Sequence, residues 1–153
     1  MAGDYHRILV PVDFSACSRE AYGAALMLAR QFGAEIQVLH VIDIHVAEAL
    51  AGIEGVKKEA LLKKMRRRVR GRLREFLQGH PSEVAMRRTV AVGFPFQEIV
   101  KAAREGKADL IVIGRFGGTG ELEKIFFGST AEKVVRISPC AVLTVPLTGA
   151  KAA

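Results

Sequence analysis

The sequence has little with which to staple a fold covalently: its 153 residues include only two cysteines, Cys17 and Cys140, far apart and in no C-x-x-C pair. That excludes a disulfide framework and a cysteine-based zinc pattern, and it points to a reducing, intracellular compartment. Long apolar runs are lacking as well. None approaches the roughly 18 residues of a membrane span, and the first, Ile8 to Val12, stops at Asp13, too short for the core of a signal peptide. The expected location is the cytoplasm, with no membrane partner. Hydrophobic residues make up 50% of the chain and charged residues 25%, the balance of a soluble globular protein. At this length folding buries roughly 70% of the unfolded surface without help from a metal. Residues 1–148 are expected to form a single domain and 149–153 a flexible C-terminal tail.

Signatures of catalysis are missing too. The four histidines, His6, His40, His45 and His80, show neither H-x-x-x-H nor H-E-x-x-H spacing, so no metal site is assigned. His40, inside a strand-like run, reads as a core residue. No G-x-S-x-G nucleophile elbow follows a strand, and no paired carboxylates or base stand ready for a γ-phosphate, which leaves weak ATP hydrolysis as the most an enzyme reading could claim. Cys17, beside Arg19 near a helix start, reads as a buried and inert thiol.

Acidic charge is scarce in one place. The chain carries a net charge of +7, yet residues 57–74 hold ten bases against a single acid, Glu59, which makes +9 locally and leaves −2 elsewhere. Within the same segment Leu61, Met65, Val69, Leu73 and Phe76 recur at helical spacing, so the bases fall on the solvent face of an amphipathic helix. Two readings stand: a solvated helix back, or a patch through which a nucleotide-free interaction module docks an anionic partner. No aromatics alternate with the bases, which argues against a single-stranded nucleic-acid partner.

What is present is an alternation of strand-like and helix-like periods from end to end, the mark of a wound α/β domain. The expected strands are 7–12, 35–42, 85–92, 109–114 and 141–145. Between them lie expected helices at 18–32, 48–78, 96–105 and 129–137, closed by punctuation such as Gly33, Gly79, Gly106 and Pro139. Right-handed crossovers wind such a chain outward and then reverse it, leaving a ligand crevice above the carboxyl ends of the strands at the reversal. With the first strand central, the loops beginning at Asp13 and Gly114 line that crevice.

The second loop is unusual, with five glycines in positions 114–128 and a helix starting at its end. Such a segment can present bare backbone N–H groups and a helix N-terminus to phosphate. It can equally be a flexible loop followed by a capping box, Ser129-x-x-Glu132. Neither G-x-x-x-x-G-K-[ST] nor G-x-G-x-x-G is present, which disfavours a P-loop ATPase and an NAD dehydrogenase. Asp13 reads either as a ligand contact or as the cap of the following helix.

Taken together, Val10-Pro11-Val12-Asp13, Val38 to Val41, Ala108 to Gly114, the glycine loop, Gly128-Ser129-Thr130 and Ser138 to Val145 resemble the universal stress protein family over essentially the whole chain. The resemblance implies an open five-stranded parallel sheet in the order 3-2-1-4-5 with helices on both faces, Rossmann-like and of the adenine nucleotide alpha hydrolase type. It also implies a homodimer through the last strand, Ala141 to Val145, and an adenine nucleotide, ATP with or without Mg2+, as ligand. Family members that bind ATP carry Gly, two residues, Gly, nine residues, Gly and then Ser or Thr. Here the second spacing, from Gly117 to Gly128, is ten, and nine is restored by counting from Gly118. By the same resemblance Pro11, Val12 and Asp13 form one wall, with Asp13 accepting from the ribose or base. Val41 and Ile113 flank the adenine, Gly114, Arg115 and Gly117 or Gly118 lie along the loop, and Gly128, Ser129 and Thr130 grip phosphate.

Overall fold

The computed structural model describes residues 4–116 and 127–147, and the expected tail, 149–153, lies outside them. In chain order the elements are β1 (Arg7–Pro11), α1 (Ala16–Phe32), β2 (Glu35–Asp43), α2 (Ile44–Glu54), α3 (Lys58–Phe76), β3 (Met86–Gly93), α4 (Pro95–Glu105), β4 (Leu110–Gly114), α5 (Ser129–Ile137) and β5 (Ala141–Val145). All five strands form one parallel sheet in the order β3-β2-β1-β4-β5. Ile8 is in register with Ile36 on one side and Leu110 on the other, and Ile111 with Val142. The sheet and its order are those expected.

Period-two alternation sorts the strand side chains to two cores. On one face Ile8, Val10, Ile36, Val38, Leu110 and Val112 pack against Ala21, Ala25 and Ala29 of α1 and Val69, Leu73 and Phe76 of α3. On the other, Leu9, Leu39, Ile111 and Ile113 meet Ile99 and Ala103 of α4 and Ala131 and Val134 of α5. Helices thus cover both faces, which is why β1 and β4 read as unbroken apolar runs rather than alternating ones. Small residues on α1 let it lie close over β1 and β4.

One expected element is corrected. The long helix over 48–78 is two helices, because Gly55 takes the left-handed conformation (φ 66°) and its N–H and that of Val56 both bond to the Ala51 carbonyl. Glycine carries no Cβ penalty there, so the helix ends and the chain restarts at Lys58. The first of the pair also begins earlier, at Ile44, where the Asp43 carboxylate accepts from the His45 N–H at 2.9 Å.

Candidate functional site

Two chain turns build the site, one after β1 and one after β4. Beyond β1, the Val12 N–H donates to the Leu39 carbonyl at 2.8 Å, which locks the end of β1 against β2. The chain then turns sharply, with Asp13 exposed and Phe14 at φ 67°. Asp13 Oδ1 accepts from the Ser15 N–H at 2.9 Å. Ser15, not Asp13, caps α1, its hydroxyl accepting from the Ser18 N–H at 3.1 Å. The carboxylate of Asp13 therefore stands before the helix, not on its cap.

Beyond β4, Arg115 donates its N–H to the Val145 carbonyl at 2.9 Å, and its own carbonyl accepts from the Gly128 N–H at 2.7 Å. That second bond pins the start of α5 to the end of β4 whatever the length of the chain between them. Glycine leaves room at both ends of this clamp, and most tightly at Gly128. A Cβ on Gly114 would stand 3.0 Å from Cys17 Sγ, and one on Gly128 would stand 2.9 Å from Phe116 Cα and 3.1 Å from the Arg115 carbonyl oxygen. Both glycines permit a close backbone approach. Gly128 is the N-cap of α5 and Ser129 its first residue, so the alternative of a Ser129-x-x-Glu132 capping box does not form; Glu132 pairs instead with Arg136 at 2.8 Å. The first N–H groups of α5 have no acceptor within the helix and carry its positive end.

Between the two turns lies a cavity of about 480 Å³, and Pro11, Val12, Asp13, Val41, Ile113, Gly114, Gly128, Ser129 and Thr130 all line it. Arg115 lies outside that lining, half-buried behind Phe116, and Gly117 and Gly118 lie outside the described residues. Sequence reasoning missed Leu39, His40, Pro95, Ile99 and Phe116, which also face the cavity. His40 adjoins Val41 on β2 and was assigned to the core, while Pro95 and Ile99 arrive on α4, whose proximity depends on the sheet order and leaves no local mark.

Burial alters the proton affinity of His40, which lines the cavity. Burial pushes its pKa below the ordinary 6.5, against a backbone hydrogen bond to Val12 and the Asp13 charge, which raise it, and with Arg72, which lowers it further. Its Nδ1 lies 2.8 Å from the Val12 carbonyl oxygen, an acceptor only, so the neutral ring carries its proton on Nδ1. Cys17 is buried and its thiol donates to the Val145 carbonyl at 3.2 Å. Among the described residues no three His, Cys, Asp or Glu side chains converge as a metal site.

Residues 4–146 match the family model described as the universal stress protein family. The chain belongs to that family. A universal stress protein of Methanocaldococcus jannaschii is 35% identical over 143 residues, 92% of this chain and 82% of that one. The solved structure of MJ0577, from the same organism, superposes with a TM-score of 0.79 at 27% identity, covering 92% of this chain and 95% of that one. Two further universal stress proteins share the fold. One, in complex with cAMP, has a TM-score of 0.60 at 24% identity over 95% of this chain and 100% of its own. The other, from Archaeoglobus fulgidus in complex with dAMP, has 0.59 at 21% identity over 92% and 98%. No helix among the described residues of this universal stress protein is long and apolar enough to cross a membrane.

Proposed function

We propose that the chain binds an adenine nucleotide, ATP, in the cavity between the β1 and β4 turns, and that bound nucleotide makes it a regulatory protein of the stress response. The observation that carries this reading is the convergence of an exposed carboxylate, Asp13, and the positive end of α5 on one cavity of about 480 Å³. That volume falls in the range of roughly 300–1,000 Å³ typical of small-molecule sites. An acceptor for ribose hydroxyls on one side and main-chain donors for phosphate on the other are what a nucleotide needs. cAMP and dAMP, held by two proteins of the same fold, are both adenine nucleotides.

In this reading Asp13 accepts from the ribose, Val41 and Ile113 flank the adenine, and Ser129 and Thr130 donate to phosphate, while Gly128, its own N–H held by the Arg115 carbonyl, lets phosphate come close to the main chain. Gly114 allows the close approach, and Gly117 or Gly118 follows the phosphate tail. A Mg2+ ion arriving with ATP would be carried by the phosphates and water. The protein's work is binding rather than turnover, in the cytoplasm, as a homodimer joined through Ala141–Val145. β5 ends the sheet with its outer side unpaired by the described chain, and such edges favour pairing.

Mass spectrometry of ligand released from the purified protein, followed by calorimetric titration with ATP, ADP and AMP, tests the reading. Saturable binding of ATP is expected. No heat and no released adenine nucleotide at millimolar ATP would overturn it.

A further inference from the structure

Helix α2 turns an apolar stripe outward. Its buried residues are two alanines, Ala47 and Ala51, while Val46, Leu50 and Ile53 are exposed, Ile53 to 82%, and Val56 is exposed just past the helix end. Intervals of four and three set 46, 50 and 53 on one face of the helix. A single exposed apolar side chain is ordinary, but three on one short helix with a fourth just past its end form a patch that marks an interaction site.

Val46 and Leu50 of this stripe line one wall of a groove of about 450 Å³, and α3 supplies the other, with Lys64, Arg68 and Arg72 at intervals of four along it. Among the described residues neither Lys64 nor Arg68 has an ion-pair partner. The acids on this side are few. Asp43 accepts from the His45 N–H, Glu48 pairs with Lys58 at 3.6 Å, and Glu54 and Glu59 remain against the ten bases of residues 57–74.

We infer that the α2–α3 face docks on an anionic lipid bilayer. Bases alone would suit a nucleic acid or a purely acidic protein surface equally well, but neither gives a use to the apolar stripe. An interfacial helix uses both: its apolar residues sink to the boundary of headgroups and acyl chains while lysines and arginines around it meet lipid phosphates. The only Phe, Tyr or Trp on α2 or α3 is Phe76, which is buried, so no stacking platform for bases is exposed. The lack of a long apolar run excludes a span and leaves such peripheral contact open. The groove shares His40 and Val41 with the nucleotide cavity, but Ile53, Lys64 and Arg68 lie outside that cavity's lining, so the two readings are tested by different residues.

Flotation of the full chain with phosphatidylglycerol vesicles and with phosphatidylcholine vesicles, at low and physiological salt and with and without ATP, tests it. Retention is expected on the anionic vesicles only, unchanged by ATP. Ile53→Asp and the pair Lys64→Glu with Arg68→Glu should each weaken partitioning by about tenfold. These positions are exposed, so the variants should keep the wild-type circular dichroism and melting profile. No retention on anionic vesicles at low salt would overturn the inference. So would retention lost in the charge-reversal pair but intact in Ile53→Asp, which would make the face a general polyanion site.

Discussion

The guanidinium carbon of Arg72, on α3, lies 4.3 Å from the centroid of the Phe14 ring, in the turn after β1. The same ring stacks on His40 with centroids 4.7 Å apart and planes at 24°, and meets Phe76 edge-on at 5.9 Å. One aromatic side chain thus ties α3 and β2 to the turn that carries Asp13. Its backbone is held at φ 67°, a conformation that costs a bulky L-residue roughly 1–2 kcal/mol. The surrounding contacts must offset that cost.

Replacing Phe14 with glycine measures the balance. Glycine relieves the backbone but forfeits the ring's packing and its cation–π contact, which together exceed the strain. A net loss of about 1 kcal/mol is expected in urea unfolding. A more stable variant would show that strain, not stacking, dominates this turn.

Gly128→Ala and Gly23→Ala should move in opposite directions. The first drives a Cβ to 2.9 Å from Phe116 Cα, a backbone atom that cannot swing aside, so the start of α5 must shift; a Cβ on Gly23, in α1, meets nothing within 4 Å. Gly128→Ala is expected to lose about 1–3 kcal/mol and most of its ATP affinity. Gly23→Ala should gain about 0.5–1 kcal/mol with ATP binding unchanged. Equal ATP affinity in both would separate the α5 N-terminus from the ligand.

Asp13→Asn isolates charge from geometry, because the amide oxygen can still accept from the Ser15 N–H that Asp13 now holds at 2.9 Å. Stability should change little. ATP affinity should fall about tenfold, the difference between a charged and a neutral acceptor. Undiminished affinity by calorimetry would remove Asp13 from the ribose.

Acid should weaken the fold through His40. Its folded-state pKa is lowered, chiefly by burial, so the native state favours the neutral ring and the unfolded state binds the proton more readily. The resulting contribution is fully present above the unfolded pKa of about 6.5 and is lost as pH falls from there toward the folded value. Urea midpoints of the wild type should therefore drop between pH 7.5 and pH 5 by more than those of His40→Gln. Identical drops would show that this ring does not couple to folding.

Pairing through β5 predicts a solution mass twice the 16.6 kDa of the chain. Light scattering at micromolar concentrations checks it, and Leu143→Asp, at an exposed strand position, should shift the species toward monomer. A monomer at every concentration would dispose of the strand-edge dimer.

The order of elements, the strand positions and the two loops that line the cavity could be read from local rules: apolar runs of five to nine residues between polar turns, a helix opening after Gly128, an acid closing β1. Nine of the cavity residues follow instead from the family resemblance, which names them position by position. The break at Gly55 escaped because the hydrophobic spacing continues on both sides of it, and periodicity does not register a single left-handed residue. Ser15 displaced Asp13 as the cap because two adjacent residue types both suit that role, and only the geometry of the turn chooses between them.

What the sequence determined alone is where the strands and helices lie and which residues face inward, since side-chain alternation and turn chemistry are properties of neighbouring residues. Only the tertiary structure decided that Pro95 and Ile99 complete the cavity wall, that Arg72 reaches Phe14, and that the stripe on α2 faces the bases of α3. Those relations join segments from 14 to 99, and they exist only once the sheet has set the distances between its strands.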